Sequence, residues 1–187
     1  ANIHNAETMY FNEKSKGNSF QKYYRYIAVA AVIILFFGIY VTQMNSSYKS
    51  YYENHVNWSK ELSSFTEKGQ QKDAFSQGEI AFKQKKYKEA IAFFQKVTPS
   101  HELYNHSLVR LGASYDILDK NEKAIETFQK LASVDDPYDS SKGNWYEAMI
   151  YLKMENKGKA IEALQKNVEN TDSFRYDKAK VLLRKLE

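Results

Sequence analysis

Two patterns of apolar spacing divide the chain. From Tyr26 to Met44 no charged residue occurs, and the strictly apolar run extends from Ile27 to Val41. A helix over this stretch has no polar face. With its flanks the run is just long enough, at 1.5 Å per residue, to cross a hydrocarbon core of about 30 Å. Beyond it the pattern turns amphipathic. Leu108, Leu111 and Tyr115 recur three and then four residues apart, with Gly112 beside them. Ala124, Phe128 and Leu131 recur four and then three apart. Those spacings predict two helices, each with one apolar stripe, joined at the polar stretch Asp119-Lys120-Asn121.

The helix pair recurs. An Ala-Ile pair stands at Ala90-Ile91, Ala124-Ile125 and Ala160-Ile161, so its alanines are 34 (124 − 90) and 36 (160 − 124) residues apart. Small Gly112 and Ala124 let two backbones approach, while Tyr115 and Phe128 fill the space beside them. Neither helix buries such a face alone, so neighbouring pairs must stack on it. The stretch from Asp172 to Glu187 puts Phe174, Tyr176, Ala179, Leu182, Leu183 and Leu186 largely on one face, with Asp172 or Ser173 as the expected N-cap.

These residues resemble the tetratricopeptide repeat (TPR). The second copy carries Leu108, Leu111, Gly112, Tyr115, Ala124 and Phe128, with Pro137 just past the usual proline site. The first matches at Gly78, Tyr87, Ala90 and Phe94, with Gln77 in place of leucine and Ala81 in place of tyrosine. The third matches at Ala148, Tyr151, Ala160 and Leu164, with Glu147 in place of leucine and Trp145 one residue off the family's tryptophan position. The resemblance covers Gln71 to Asn170. The expected fold is all-α: a single N-terminal transmembrane helix, then an α-solenoid of three TPR helical hairpins with a C-terminal capping helix. The expected divisions are a cytoplasmic segment 1–25, the transmembrane helix 26–44, a juxtamembrane helical spacer 45–70 and a TPR domain 71–187. Within the last, the hairpins are expected at 71–103, 104–138 and 141–170 and the cap at 173–187.

Flanking residues set the expected orientation. Lys14, Lys16, Lys22 and Arg25 precede the apolar run, and only Lys49 and Lys60 follow it closely. Positive charge stays on the cytoplasmic side. Phe20, Tyr23 and Tyr24 before the run, and Tyr48, Tyr51, Tyr52 and Trp58 after it, suit the headgroup depth that aromatic rings prefer. A cleaved signal peptide fits less well, because Thr42, Gln43, Met44 and Asn45 follow where small residues would be needed. The expectation is a single-pass bacterial inner-membrane protein with a cytoplasmic N-terminus and a periplasmic TPR domain.

Composition narrows the chemistry. With 27 Lys+Arg against 23 Asp+Glu, the net charge of +4 is too small and too evenly spread for a nucleic-acid face. The cluster Lys83, Lys85, Lys86 and Lys88 falls at an expected solvated turn. No cysteine is present, which removes disulfides, thiol catalysis and thiolate metal sites. His101-Glu102 resembles the start of a zinc-protease helix, but His106 comes five residues after His101 rather than four. That step turns the second imidazole about 140° around a helix. No phosphate-binding glycine loop or nucleophile elbow occurs. The expectation is no enzyme, no cofactor and no metal.

What remains is binding. In TPR domains the first helix of each repeat lines a concave groove. The resemblance implies that the groove side chains are Lys72, Phe75, Glu79 and Phe82, then His106, Val109, Arg110 and Ala113, then Lys142, Trp145, Met149 and Leu152. Such a surface suits an extended peptide or a partner helix. Alternatively, Phe75, Phe82 and Trp145 pack on the spacer or the capping helix. The expected function is a membrane-anchored scaffold holding a protein partner in an envelope complex. The alternative is a periplasmic chaperone-like subunit of the Sec translocon, whose layout of one membrane helix and a small TPR domain is similar.

Overall fold

The computed structural model of the chain describes the backbone of residues 18–62 and 73–187 and the side chains of 26–37, 48–62 and 73–187. The expected segment 1–25 falls mostly outside the described residues, as does the stretch of the spacer from 63 to 70. Among the described residues every regular element is a helix, so the fold is all-α. The chain divides into two units, 1–46 and 47–187.

The first unit holds most of α1 (Asn18–His55). Its described apolar side chains, Tyr26 through Phe37, are exposed, and the large ones keep between 49% and 75% of their surface. Among the described residues no helix is long and apolar enough to cross a membrane. The crossing expected at 26–44 continues past residue 37 into side chains outside the described ones.

The second unit begins with the last turns of α1 and the single turn α2 (Trp58–Glu61). Three helical hairpins follow. They are α3 (Ala74–Lys83) with α4 (Tyr87–Phe94), α5 (Tyr104–Ile117) with α6 (Asn121–Ala132), and α7 (Pro137–Lys153) with α8 (Lys157–Asn167). A last helix, α9 (Tyr176–Leu186), packs on α8. Each helix from α3 onward packs mainly on its neighbours in sequence, and α5 also touches α3 and α7, as stacked repeats require.

Each hairpin turns on a residue with left-handed backbone: Lys85 (φ 59°), Asp119 (φ 53°) and Glu155 (φ 60°). The amide after it reaches back across the turn. Lys86 donates to the Ala81 carbonyl at 2.9 Å, Lys120 to Tyr115 at 2.9 Å and Asn156 to Tyr151 at 2.8 Å. These bonds occupy carbonyls that the end of a helix would leave without partners.

The glycines of the first two hairpins each leave room for a phenylalanine ring. A Cβ on Gly112 would lie 2.5 Å from the Phe128 ring, and one on Gly78 would lie 2.5 Å from the Phe94 ring. In the third hairpin Ala148 and Leu164 hold the equivalent positions, both fully buried. The shorter Leu164 accompanies the larger Ala148.

The start of α9 differs from the sequence expectation. Its N-cap is Arg175, in left-handed conformation at φ 59°, with no capping hydrogen bond from its side chain. Asp172 and Ser173 are drawn into the preceding turn instead. The Asp172 amide donates to the Asn170 side chain at 2.9 Å and the Ser173 amide to the Asn170 carbonyl at 3.1 Å.

A candidate binding groove and its resident segment

The first helices of the second and third repeats are buried on almost every side. Residues 107–116 of α5 are all buried, as is the run 143–152 of α7. One side is covered by the second helices of the hairpins. Residues 48–62 of the chain itself pack on the core at the other.

The contact centres on Trp58, which is 7% exposed. Its ring lies 4.9 Å from Tyr146 and stacks at 6.1 Å on Phe128. Its indole N–H donates to Asp116 Oδ2 at 2.7 Å. The Tyr52 hydroxyl donates to the same oxygen. Lys153 Nζ donates to Asp116 Oδ1 at 2.9 Å and to Asp119 Oδ1 at 2.8 Å. A buried carboxylate with three donors is satisfied, which is what makes its burial tolerable.

Glu61, one helical turn on, is held at the other side of the groove. It accepts from the Tyr146 hydroxyl at 2.7 Å and pairs with Arg175 Nη2 at 3.2 Å. Arg175 Nη1 donates to the His55 carbonyl at 2.9 Å, and the guanidinium lies over Trp145 at 5.3 Å. The left-handed backbone at Arg175 is a conformation that costs about 1 kcal/mol, and here it sits at the residue that reaches Glu61, His55 and Trp145.

Burial, with the Asp116 charge next, pushes the Tyr52 phenol well above its usual range. Burial and then Glu61 do the same to Tyr146. Burial pulls the Lys153 ammonium down, but hydrogen bonds and charge from Asp116 and Asp119 outweigh it and leave the net shift upward. His106 is pushed below its ordinary range by burial, then by Arg110 and Lys142.

The residues expected to line the groove are placed as follows. Lys72 lies outside the described residues. Phe75 and Val109 are buried, with Phe75 against Phe94 at 6.0 Å. Glu79 and Arg110 are buried together as an ion pair, and the guanidinium lies 5.4 Å from the Phe75 ring. Ala113, Trp145, Met149 and Leu152 are fully buried. Phe82 is half-buried with its ring edge on Tyr87 at 5.4 Å. His106 and Lys142 remain half-buried, with Lys142 bonded to Asp139 at 2.7 Å. Of the two arrangements open for Trp145, packing is the one observed: His55 lies 5.7 Å from its ring. A cavity of about 260 Å³ persists beside Glu61, lined by His106, Arg110, Lys142 and Arg175 among others.

Sequence reasoning missed Tyr52, Trp58, Glu61, Asp116, Tyr146, Lys153 and Arg175 as one constellation. It assigned Tyr52 and Trp58 to a membrane interface. The indole N–H and the phenol hydroxyl instead meet Asp116, a partner far along the chain. The one local signal was a lone tryptophan between polar residues in the stretch Asn57-Trp58-Ser59-Lys60-Glu61.

The arrangement is one of ion pairs, hydrogen bonds and packed rings. Among the described residues, no group of three or more His, Asp or Glu side chains could hold a metal ion. No curated protein matches the chain. Residues 75–98 and 106–138, which span the first two hairpins, match the tetratricopeptide repeat family model, and that match supports the TPR family for this stack of helix pairs.

Proposed function

We propose that the chain is a non-enzymatic TPR scaffold that holds a protein partner at a membrane, within a bacterial envelope complex. The observation that carries the scaffold reading is the match of two hairpins to a repeat whose role is protein–protein interaction. The tether reading is supported by the uncharged stretch Tyr26 to Met44 and by the exposure of Tyr26 through Phe37. Lys14, Lys16, Lys22 and Arg25 ahead of that stretch favour a cytoplasmic side before it and a periplasmic side after it. Asp116 and Glu61 are each bonded to defined partners, which favours one specific ligand over a spread of unfolded clients.

The test is extraction of the tagged full-length chain in mild detergent, followed by mass spectrometry. A photo-cross-linker at Lys142, which lines the cavity beside Glu61, reports the surface used. One dominant stoichiometric partner, cross-linked through position 142, is expected. Recovery of translocon subunits with many unrelated exported proteins would overturn the scaffold in favour of a chaperone-like role. Recovery of the chain in the soluble fraction without detergent would overturn the tether.

A further inference from the structure

The resident segment has the chemistry of a bound ligand. The helix α2 is a single turn of four residues, set apart from α1 by Val56 and Asn57. A helix so short does not hold its shape alone in water. Its order comes from the groove, through two side chains. Trp58 presents an indole to the shelf of Phe128 and Tyr146 and an N–H to Asp116. Glu61, three residues on and so on the same helical face, presents a carboxylate to the Tyr146 hydroxyl and Arg175. Buried tryptophan and arginine anchors at the centre of a contact are the groups that dominate binding energy between separate chains. The cavity beside Glu61 extends the same surface past the segment, and it is walled by Arg110, Lys142 and Arg175.

We infer that the turn Trp58–Glu61 is a built-in ligand, and that the groove's external partner is a helical peptide carrying an indole and a carboxylate three residues apart. Such a peptide places its indole on Phe128 and Tyr146 and its carboxylate on Arg175. It enters by displacing the resident turn, so partner binding is coupled to release of residues 56–62 from the repeats. The resident turn competes at the high effective concentration of a linked segment, which weakens the apparent affinity for any external peptide. The inference rests on the scaffold reading above.

The probe is a fluorescein-labelled peptide with the sequence of residues 56–62, Val-Asn-Trp-Ser-Lys-Glu-Leu. The receptors are the full-length chain in detergent micelles and its double variant Trp58→Ala/Glu61→Ala. Fluorescence anisotropy should show the double variant binding at least about tenfold more tightly than the unaltered chain. Arg175→Glu in the double variant should abolish binding of this peptide and restore binding of its Glu-to-Lys form. Equal affinity for both receptors, binding to neither, or indifference to the charge at position 175 would each overturn the inference. If circular dichroism shows that the double variant has lost its helices, Glu61→Ala alone replaces it. Hydrogen exchange on the unaltered chain then decides, since millimolar peptide should speed exchange of the amides of residues 60–62. Unchanged exchange would mean a permanent structural seal. Failure of the peptide while a dominant partner still co-purifies would remove this inference and leave the scaffold standing.

Discussion

The indole N–H of Trp58 lies 2.7 Å from Asp116 Oδ2, across 58 residues of chain. That one bond joins the segment after the apolar helix to the centre of the second repeat. Asp116 also binds Lys153 of the third repeat, so the same carboxylate links three parts of the unit.

Removing the indole tests how much the resident segment contributes to stability. Trp58→Ala deletes a buried ring packed against both Tyr146 and Phe128 and should cost about 3 kcal/mol. Trp58→Phe keeps most of the stacking but takes a donor from Asp116, and should cost about 1 to 2 kcal/mol. Urea denaturation followed by far-ultraviolet circular dichroism measures both. A change below a few tenths of a kcal/mol for Trp58→Ala would place the ring outside the groove.

The volume exchange between glycine and phenylalanine predicts a coupled pair. Gly112→Ala brings a Cβ to within 2.5 Å of the Phe128 ring and should destabilise by about 2 kcal/mol. Phe128→Leu alone opens a void and should cost about 1 to 3 kcal/mol. The double variant recreates the Ala148 and Leu164 pairing of the third repeat. It should therefore cost less than the sum of the single changes. Strict additivity in a double-mutant cycle would mean that the two sites do not touch.

The left-handed turn residues predict a gain. Glu155→Gly relieves a conformation that costs a side-chain-bearing residue about 1 kcal/mol, and should stabilise by that order. Asp119→Gly should gain less, because it removes a carboxylate bound to Lys153 at 2.8 Å. Thermal melting of the two variants side by side reads the difference.

Alkaline pH should loosen the groove. Tyr52 and Tyr146 hold their protons in the folded state above the ordinary phenol value of 10.0, and Lys153 above 10.5. The folded state thus binds more protons than the unfolded state in that range. Stability from these groups is complete below pH 10 and is lost as pH rises past it. Melting temperature should hold steady up to the ordinary phenol value of 10.0 and fall as pH rises above it, and Tyr52→Phe should flatten that fall. An unchanged slope in Tyr52→Phe would separate Tyr52 from Asp116.

What could be read from sequence was what repeats locally. The stripe of Leu108, Leu111 and Tyr115 and the small residues Gly112 and Ala124 carry helical spacing within a dozen residues. That is enough to give the all-α stack of pairs. The content of the groove was not legible. Glu79 and Arg110 each read as a polar lining residue, and only the fold brings them together as a buried pair. Trp58 is equally at home at a membrane interface and in a pocket, because its ring is apolar and its N–H needs a partner. Choosing between those requires Asp116, which no periodic pattern connects to it. The start of α9 failed for a similar reason: Asn170 holds the backbone amides of Asp172 and Ser173 in a turn, and the helix begins after Arg175 instead.

Native-state hydrogen exchange on the full-length chain tests most directly whether the groove holds the chain's own segment. The Lys60, Glu61 and Leu62 amides donate to Asn57 and Trp58 within a turn too short to persist alone. With Trp58 seated in the groove, these amides should exchange at least about a hundredfold more slowly than an unstructured peptide, and Trp58→Ala should return them toward the free rate. Exchange at the free rate in the unaltered chain would contradict the account and leave the groove empty.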